Sequence, residues 1–329
     1  MKITILGAGS WGTTVASLVA PRHPTLLWAR DEEVSAEVRD KGTNSRYLGG
    51  FRLAEELTST SDLEEAVRDA DLIFVAVPTV GFRAVLEAAR DSVRPWVPVV
   101  SLAKGFESGS LKRMTEVIRD TFPGHPAAAL TGPNLAREIM SGMASAAVVA
   151  TEDLTVATEI QQVVKRGVFR VYLNHDVAGC EIGGALKNVV AIAVGIGRGL
   201  GVGDNTTAAV MTRGLAELTR LGVAMGAERA TFAGLAGMGD LVATCMSPLS
   251  RNRQVGEQLG RGRCLAEIVG EMKMVAEGVK TAELVLDLAA RHDLDLPICR
   301  AVNKVVRGEI RPEDAYWGLT PAGHELEAG

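Results

Sequence analysis

Short, almost purely apolar runs alternate with amphipathic stretches over the first 175 residues of the chain. The apolar runs predict strands at 2–6, 25–29, 72–77, 97–102, 127–131, 146–150 and 168–173. The stretches between them predict helices at 11–20, 62–69, 80–91, 110–121 and 154–165. Strands that are apolar throughout are typical of a mostly parallel sheet that helices cover on both faces. This part of the chain therefore predicts an α/β fold.

The pattern changes after residue 176, where no strand-like run follows. Longer helical patterns take over, at 177–198, 206–225, 252–259 and 279–291. We therefore predict a Rossmann-type domain with a mostly parallel sheet over residues 1–178 and an all-helical domain over residues 179–329. The charge-free stretch 188–197 is shorter than the roughly 20 residues that a membrane span needs. We expect no membrane insertion.

Composition narrows the class of protein further. The 329 residues are 47% hydrophobic and 23% charged, with a net charge of -5 and both signs scattered along the chain. This excludes the basic surface of a nucleic-acid-binding protein. The cysteines form no CxxC pair, so we expect no disulfide framework and no metal site; they are Cys180, Cys245, Cys264 and Cys299. A reducing compartment, the cytoplasm, fits this pattern.

A glycine-rich turn follows the first predicted strand and opens a predicted helix. It reads Gly7-Ala8-Gly9-Ser10-Trp11-Gly12, a G-x-G-x-x-G pattern. In a strand–turn–helix setting this pattern indicates a dinucleotide site. Gly7 permits the tight turn, a side chain at Gly9 would collide with the pyrophosphate, and Gly12 lets helix and strand pack closely. The helix N-terminus then presents free N–H groups to the phosphates.

The end of the second predicted strand bears on which dinucleotide binds. An NAD-selective fold carries an acidic residue here for the ribose 2′-hydroxyl. This chain has Arg30 followed by Asp31. Arg30 could pair with a 2′-phosphate, Asp31 could serve the ribose, or the two could be a solvated charge pair. We interpret this as a site in which NADP(H) is tolerated or preferred, and NAD(H) remains possible.

Polar residues follow two later strands, where ligands sit in open α/β sheets. Lys104 comes just past one strand, and Gly132 and Asn134 come just past another. A further lysine, Lys187, lies in an almost wholly apolar helix, where an ammonium group is costly unless it is paired or hydrogen-bonded. It could extend to the surface, but the glycines before it and Asn188 after it favour a cleft.

Two segments of the second half complete the polar set. Asp240 lies in a glycine turn before a helical start, where an N-cap aspartate is the alternative interpretation. Ser250, Arg251 and Asn252 open another helix. An arginine, an asparagine and a helix N-terminus together suit a phosphate group. A simple capped and solvated helix start would look the same.

Taken together, these stretches closely resemble the bacterial-type NAD(P)-dependent glycerol-3-phosphate dehydrogenases. The resemblance spans nearly the whole chain in the family's order, through GAGSWGT at 7–13, SLAKGFE at 101–107, TGPNLARE at 131–138, GALKNVVAIAVGI at 184–196, GMGDLVAT at 237–244, SRNR at 250–253 and VAEGVKTA at 275–282. It implies a C-terminal domain like that of 6-phosphogluconate dehydrogenase. One departure is Asn134-Leu135, where the family commonly has Ser-Phe; Asn134 can still donate a hydrogen bond.

The resemblance also implies roles for individual residues. The cofactor contacts it implies, beyond the glycines of the turn, are Ser10, Trp11, Arg30, Tyr47, Lys104, Ala136, Arg251, Val275 and Glu277. The substrate contacts it implies are Lys104, Gly132, Asn134, Lys187, Asn188, Asp240, Thr244, Ser250, Arg251 and Asn252. Lys187 matches the family's catalytic lysine.

The resulting hypothesis is reduction of dihydroxyacetone phosphate to sn-glycerol 3-phosphate for glycerophospholipid synthesis, by a homodimer. Lys187 would act as general acid, Asp240 would orient it, and Lys104 would stabilise the developing oxyanion. One alternative is a two-domain dehydrogenase of the same architecture that acts on a hydroxy acid. Another is an NAD(P)H-binding sensor without chemistry, although a sensor needs no proton donor.

Overall fold

The computed structural model describes residues 1–272 and 277–317, with side chains through Tyr316. Eight strands, numbered in chain order, form one sheet in the first part of the chain. They are Ile3–Leu6 (β1), Thr25–Trp28 (β2), Leu57–Thr60 (β3), Leu72–Val75 (β4), Val99–Ser101 (β5), Ala127–Thr131 (β6), Ser145–Ala150 (β7) and Phe169–Asn174 (β8).

The strand order is β3-β2-β1-β4-β5-β6-β7-β8. All neighbouring strands run parallel except β6 and β7, which are antiparallel. The first six strands have the doubly wound Rossmann order, in which ligands bind beyond the carboxyl ends of the strands. Leu6 at the end of β1 pairs with Trp28 of β2 and with Val75 of β4. The loops that follow these three strands therefore emerge side by side.

The described residues form α-helices that are numbered in chain order. Those of the first part of the chain are Ser10–Val19 (α1), Glu32–Lys41 (α2), Ser45–Leu48 (α3), Leu63–Arg68 (α4), Thr79–Ala89 (α5), Met114–Thr121 (α6), Ala136–Met140 (α7) and Leu154–Val164 (α8). Those that follow are Val177–Leu200 (α9), Asp204–Ala224 (α10), Arg229–Phe232 (α11), Asp240–Met246 (α12), Arg251–Gly260 (α13), Leu265–Glu271 (α14), Glu277–Arg291 (α15), Pro297–Val306 (α16) and Pro312–Trp317 (α17).

The chain divides into two compact units. The first contains Met1–Gly184 and Gly226–Asp240, and the second contains Ala185–Met225 and the described residues from Leu241 onward. All eight strands belong to the first unit, and the described part of the second unit is helical throughout. The first unit therefore includes a short segment, Gly226–Asp240, that is separated in sequence from the rest of the unit. The domain boundary after residue 178 stays a prediction.

Each face of the sheet packs on its own apolar core. On one face Ile3, Ile5 and Phe74 pack with residues of α1 and α8, such as Val15 and Ile160. On the other face a second buried cluster joins strand residues to α5 and α6; its members include Leu6, Ile73, Val75, Phe82, Leu86 and Ile118. Burial on both faces is the reason that most of these strands are apolar at most of their positions.

The α/β sheet and the all-helical second part are confirmed, and the predicted bounds agree with the structure to within two residues for all but one element. The predicted helix 110–121 is wrong at its start, because α6 begins at Met114. There the Glu116 carboxylate accepts the backbone N–H of Arg113, which caps the helix. Strand β3 and helix α2 were not predicted, because polar residues break their apolar patterns.

Among the described residues, one unbroken helix is long and apolar enough to cross a membrane by length and composition alone. It is α9, and 94% of its most apolar window is buried within the protein. A mostly buried helix of this kind is what the core of a globular protein contains.

Candidate active site

The glycine-rich turn between β1 and α1 has three glycines with different constraints. Gly7 has a φ of +114°, and a Cβ there would lie 2.9 Å from the carbonyl carbon of Ala76. A Cβ on Gly12 would lie 2.0 Å from the carbonyl oxygen of Gly7. A Cβ on Gly9 would meet nothing within 4 Å. Gly7 and Gly12 are therefore required by the fold, whereas the space at Gly9 is open to a ligand.

Helix α1 begins at this turn without a capping side chain. Gly9 is its N-cap and provides no side-chain cap, and the first turn of the helix holds no acidic residue. The buried indole N–H of Trp11 has no hydrogen-bond partner among the described residues. Uncapped donors at a helix N-terminus attract anions. The turn therefore fits the pyrophosphate of a dinucleotide.

The short helix α3 packs against the same turn. The Asn44 side chain donates hydrogen bonds to the Ala8 carbonyl oxygen and to Thr13 Oγ1, each at 2.9 Å. The Ser10 hydroxyl donates to the carbonyl oxygen of Tyr47 at 2.6 Å. These contacts hold Tyr47 beside the first turn of α1. Tyr47 and Ser10, both predicted as cofactor contacts, are thus brought together.

A lysine and an aspartate that are far apart in sequence form an ion pair in the first unit. Lys104 Nζ donates to Asp240 Oδ2 at 2.6 Å and to the carbonyl oxygen of Gly132 at 2.8 Å. The side chains of Lys104 and Asp240 are 15% and 2% exposed. An ion pair in such a site interacts more strongly than one at the surface. The structure therefore joins three predicted site residues in one polar cluster, which we call the Lys104 cluster.

Glycines allow the close packing around the Lys104 cluster. Gly132 has a φ of +117° at the end of β6, where a β-carbon would be strained. A Cβ on Gly184 of α9 would lie 2.9 Å from Thr131 Oγ1, and a Cβ on Gly183 would lie 2.7 Å from the Ala236 carbonyl oxygen. Residues Leu235–Gly239 form a π-helical turn that leads into Asp240. The glycine pair of α9 thus lets the helix approach both β6 and the turn before Asp240.

Two side chains beside the Lys104 cluster have unsatisfied polar atoms. Both polar atoms of the Asn134 amide and the hydroxyl oxygen of Thr131 are buried without a hydrogen-bond partner among the described residues. Buried polar atoms normally have a partner. Those of Asn134 and Thr131 therefore fit a polar ligand. Asn134 was predicted from sequence, and Thr131 was not, although it begins the TGPN motif.

The loop that carries Lys104, residues 102–107, is anchored by an arginine of α5. The Arg83 guanidinium donates two hydrogen bonds to the Glu107 carboxylate, at 2.7 and 2.9 Å. These hydrogen bonds lower the pKa of Glu107 from its usual 4.5 and outweigh the opposing effect of burial. The ion pair between Arg83 and Glu107 therefore fixes the end of this loop to α5.

In the second unit, Lys187 lies inside α9 with its side chain buried. The residue is 6% exposed, and Lys187 Nζ donates to Thr244 Oγ1 at 2.5 Å. Thr244 belongs to α12 and is also buried. The alternative interpretation, an amine that extends to the surface, is therefore excluded. A buried ammonium group with a hydroxyl partner suits proton transfer.

The start of α13 holds three predicted substrate contacts. The Ser250 hydroxyl caps the helix and accepts the N–H of Arg253 at 3.3 Å. Asn252 Oδ1 accepts the N–H of Gly278 at 3.0 Å, which ties α13 to α15. Arg251, the first residue of α13, is exposed. Ser250 and Asn252 thus stabilise the start of α13 through hydrogen bonds within the protein.

The remaining predicted site residues are placed as follows. Asn188 is buried in α9, and its carbonyl oxygen would lie 2.8 Å from a Cβ on Gly278. Arg30 is exposed directly after β2, Ala136 opens α7, and Glu277 opens α15. Val275 lies outside the described residues.

Two family models match this chain, one for each half. The model described as NAD-dependent glycerol-3-phosphate dehydrogenase N-terminus matches residues 2–157, and the model of the C-terminus matches residues 176–316. Together they match nearly the whole chain, apart from residues 158–175 and the two ends.

Whole-length relatives agree with the family models. The chain is 55% identical over 331 residues to a glycerol-3-phosphate dehydrogenase [NAD(P)+] of Sphingopyxis alaskensis, covering 100% of this chain and 99% of the relative. It is 50% identical to one of Mycobacterium tuberculosis, covering 99% and 96%. The crystal structure of glycerol-3-phosphate dehydrogenase from Coxiella burnetii superposes with a TM-score of 0.93 at 33% identity, covering 97% and 98%. The chain belongs to the NAD-dependent glycerol-3-phosphate dehydrogenase family.

Proposed function

We propose that this chain interconverts dihydroxyacetone phosphate and sn-glycerol 3-phosphate with NAD(H) or NADP(H) as cofactor. The observation that carries the proposal is the match of both family models, over residues 2–157 and 176–316. The glycine turn at α1 supports the cofactor, and the buried Lys187 and the partly buried Lys104 support chemistry at a carbonyl oxygen. A sensor without chemistry needs neither cation.

Reduction of a ketone needs a hydride at carbon and a proton at oxygen. The nicotinamide, when bound, supplies the hydride. Lys187 Nζ would deliver the proton to the carbonyl oxygen in reduction and take it back in oxidation. Its support is the burial of the ammonium group and the hydrogen bond to Thr244.

Lys104 would stabilise negative charge as it develops on that oxygen. An ammonium group has three N–H donors, and described residues accept from two of those of Lys104, at Gly132 and Asp240. One donor is left for a substrate oxygen. Asp240 would hold the ammonium group in place, and preorganised donors of this kind are effective because they need not reorient during the reaction.

Substrate binding is assigned to polar residues that the sequence predicts. In the first unit, Asn134 presents an amide whose two polar atoms lack partners among the described residues. In the second, Arg251 and Asn252 at the start of α13 would hold the phosphate. Asn188, Thr244 and Ser250 would support these contacts. For the cofactor, we assign Gly9, Ser10, Trp11, Arg30, Tyr47, Lys104, Ala136, Arg251, Val275 and Glu277.

The biological setting follows from the family and is part of the proposal. The product would supply glycerophospholipid synthesis in the cytoplasm, and the enzyme would be a homodimer. Sedimentation analysis of the purified chain measures the oligomeric state. A monomer at all accessible concentrations would contradict the homodimer.

The decisive experiment is steady-state kinetics with dihydroxyacetone phosphate, following the absorbance of the reduced nicotinamide. We expect turnover with this substrate and none with a panel of 2-oxo acids. The Lys187→Ala variant should lose at least ~10²-fold in kcat while it keeps its affinity for the cofactor. Lys280→Ala, which removes an exposed lysine of α15, is the matched control and should retain wild-type turnover.

Each outcome of this experiment bears on a different part of the proposal. Turnover of a 2-oxo acid without turnover of dihydroxyacetone phosphate would replace the substrate. Cofactor binding without any turnover would indicate the sensor. A Lys187→Ala variant with near-normal kcat would remove that residue from proton transfer.

A further inference from the structure

Asp31 lies shortly after β2 in the first unit, and both oxygens of its carboxylate accept hydrogen bonds. Asp31 Oδ1 accepts the backbone N–H of Glu33 at 3.0 Å and so caps α2. Asp31 Oδ2 accepts a hydrogen bond from Arg46 Nη1 at 2.7 Å. A carboxylate that selects NAD(H) does so by accepting the ribose 2′-hydroxyl. In Asp31 each oxygen already accepts one hydrogen bond, and the Arg46 guanidinium offsets the negative charge that a 2′-hydroxyl would meet.

Arg46 is held in place by the short helix α3. The residues on either side of it are fixed to the glycine-rich turn, since Asn44 donates to the carbonyl oxygen of Ala8 and Ser10 donates to that of Tyr47. The Arg46 guanidinium carbon also lies 5.4 Å from the centroid of the Tyr47 ring. Stacking on an aromatic ring orients a guanidinium plane. Arg46 therefore has a defined place next to the dinucleotide turn.

The guanidinium group of Arg46 remains accessible to an anion. Its side chain is 56% exposed and that of Asp31 is 43% exposed, so the ion pair lies at the surface. Arg30, the residue before Asp31, is exposed as well. Arg30, Asp31 and Arg46 together carry two positive charges and one negative charge, and the first turn of α2 adds the acids Glu32 and Glu33. The nearby acid Glu32 pairs with Arg39 on α2.

We propose that Arg46 is a specificity-determining residue that makes this chain prefer NADP(H) to NAD(H). It neutralises Asp31, which would otherwise repel a 2′-phosphate, and it adds a second guanidinium to that of Arg30. Guanidinium groups bind phosphate through paired charge-assisted hydrogen bonds. The proposal rests on the proposed function, since it concerns the cofactor of the same site, and it assigns that site a preference between the two dinucleotides.

The test measures binding of two adenosine fragments, so it does not depend on turnover. Isothermal titration calorimetry with adenosine 2′,5′-bisphosphate and with AMP compares a ligand that has the 2′-phosphate with one that lacks it. We expect the wild-type chain to bind the bisphosphate at least ~10-fold more tightly, the scale of one charge-assisted hydrogen bond. Arg46→Ala should remove most of this difference through weaker binding of the bisphosphate. Arg46→Lys should retain part of it, because it keeps the charge but not the planar fork.

Arg68→Ala is the matched control. Arg68 is another exposed arginine with an acidic partner, Glu64 of α4, and its removal changes the net charge by the same amount. It should leave the ratio of the two affinities unchanged. Equal affinities of the wild-type chain for the two fragments would overturn the proposal, and so would an effect of Arg68→Ala as large as that of Arg46→Ala. This experiment contains no dihydroxyacetone phosphate. Its binding result can therefore be interpreted even if the proposed function is wrong.

Discussion

The glycine turn at the start of α1 and the Lys104 cluster are assembled in opposite ways. The turn is six consecutive residues, Gly7 to Gly12, which follow β1 and include the first residues of α1. The ion pair of the Lys104 cluster joins residues 136 positions apart in sequence. The turn depends on local backbone geometry, whereas the cluster depends on the return of residues Gly226–Asp240 to the first unit.

Because of this difference, the turn and the Lys104 cluster should respond differently to substitution. In the turn, a substitution acts through the space around one glycine, and the three glycines differ in how much space they have. In the cluster, a substitution acts through a charge that is removed from water, where a lost partner is costly. Substitutions in the turn should therefore separate stability from ligand binding, whereas those in the cluster should change both together.

The largest effect is expected from breaking the ion pair of the Lys104 cluster. Asp240→Asn removes the carboxylate charge and leaves the Lys104 ammonium group without its counter-charge. The free energy of unfolding should fall by about 3 kcal/mol, as for a broken buried pair. kcat/KM should fall by 10² to about 10³-fold, as when a preorganised catalytic group is removed. Chemical denaturation and steady-state kinetics measure the two effects.

The matched control for Asp240→Asn is Asp69→Asn. Asp69 pairs with Lys2 at 2.9 Å, but both side chains are mostly exposed. Solvent screens such a pair, so stability and kinetics should not change measurably. An Asp240→Asn variant as stable and active as Asp69→Asn would contradict the importance of the cluster.

The next effect separates two glycines of the turn. Gly9→Val should lower affinity for the dinucleotide by about 10²-fold without lowering the melting temperature, because its side chain would point into open space that the ligand needs. Gly12→Ala should lower the free energy of unfolding by about 1–3 kcal/mol, since its Cβ would meet the Gly7 carbonyl oxygen. Cofactor titration and thermal unfolding measure both.

Gly81→Ala is the control for these variants, because a Cβ on that glycine of α5 meets nothing within 4 Å. It should stabilise the chain by up to about 1 kcal/mol, as alanine does in a helix interior. If Gly9→Val destabilised the chain as much as Gly12→Ala, the division of roles within the turn would be wrong.

A smaller effect is expected from narrowing the space beside Lys104. Gly184→Ala would place a Cβ 2.9 Å from Thr131 Oγ1, and either β6 or α9 must shift to accept it. Overpacking on this scale costs about 1–3 kcal/mol, and kcat/KM should fall by about 10-fold through displacement of Lys104. Thr131→Ala, combined with Gly184→Ala, should recover part of this loss. Strictly additive effects in that double-mutant cycle would show that the two residues do not act on each other.

The smallest effect concerns the anchor of the Lys104 loop. The Arg83 hydrogen bonds lower the pKa of Glu107 below 4.5 in the folded protein. Stability from this pair is therefore fully present above about pH 4.5 and is lost as the pH falls through the lower folded-state pKa. Arg83→Ala should cost about 1 kcal/mol at neutral pH. The difference from wild type, measured by denaturation, should shrink on acidification; a difference that grows would have the wrong sign.

The elements predicted most accurately are those with uniform local patterns. The buried strand β6 was predicted at its observed bounds, and the start of α9 was predicted at Val177. Strand β3 was missed because Thr58, Ser59 and Thr60 follow Leu57, so its apolar pattern is too short. Its place in the sheet comes from pairing with β2, which residues outside the strand provide. The same limit hid Arg46, whose partner Asp31 is 15 positions away.

The sequence by itself determined the sheet, the helical second part and the glycine turn, because each depends on periodicity or backbone freedom within a few consecutive residues. It also singled out Lys104 after a strand, Lys187 in an apolar helix and Asp240 in a glycine turn. Only the tertiary structure decided that Asp240 pairs with Lys104 and that Asp31 is occupied by Arg46. Such pairings depend on how distant segments pack, and no local pattern records them.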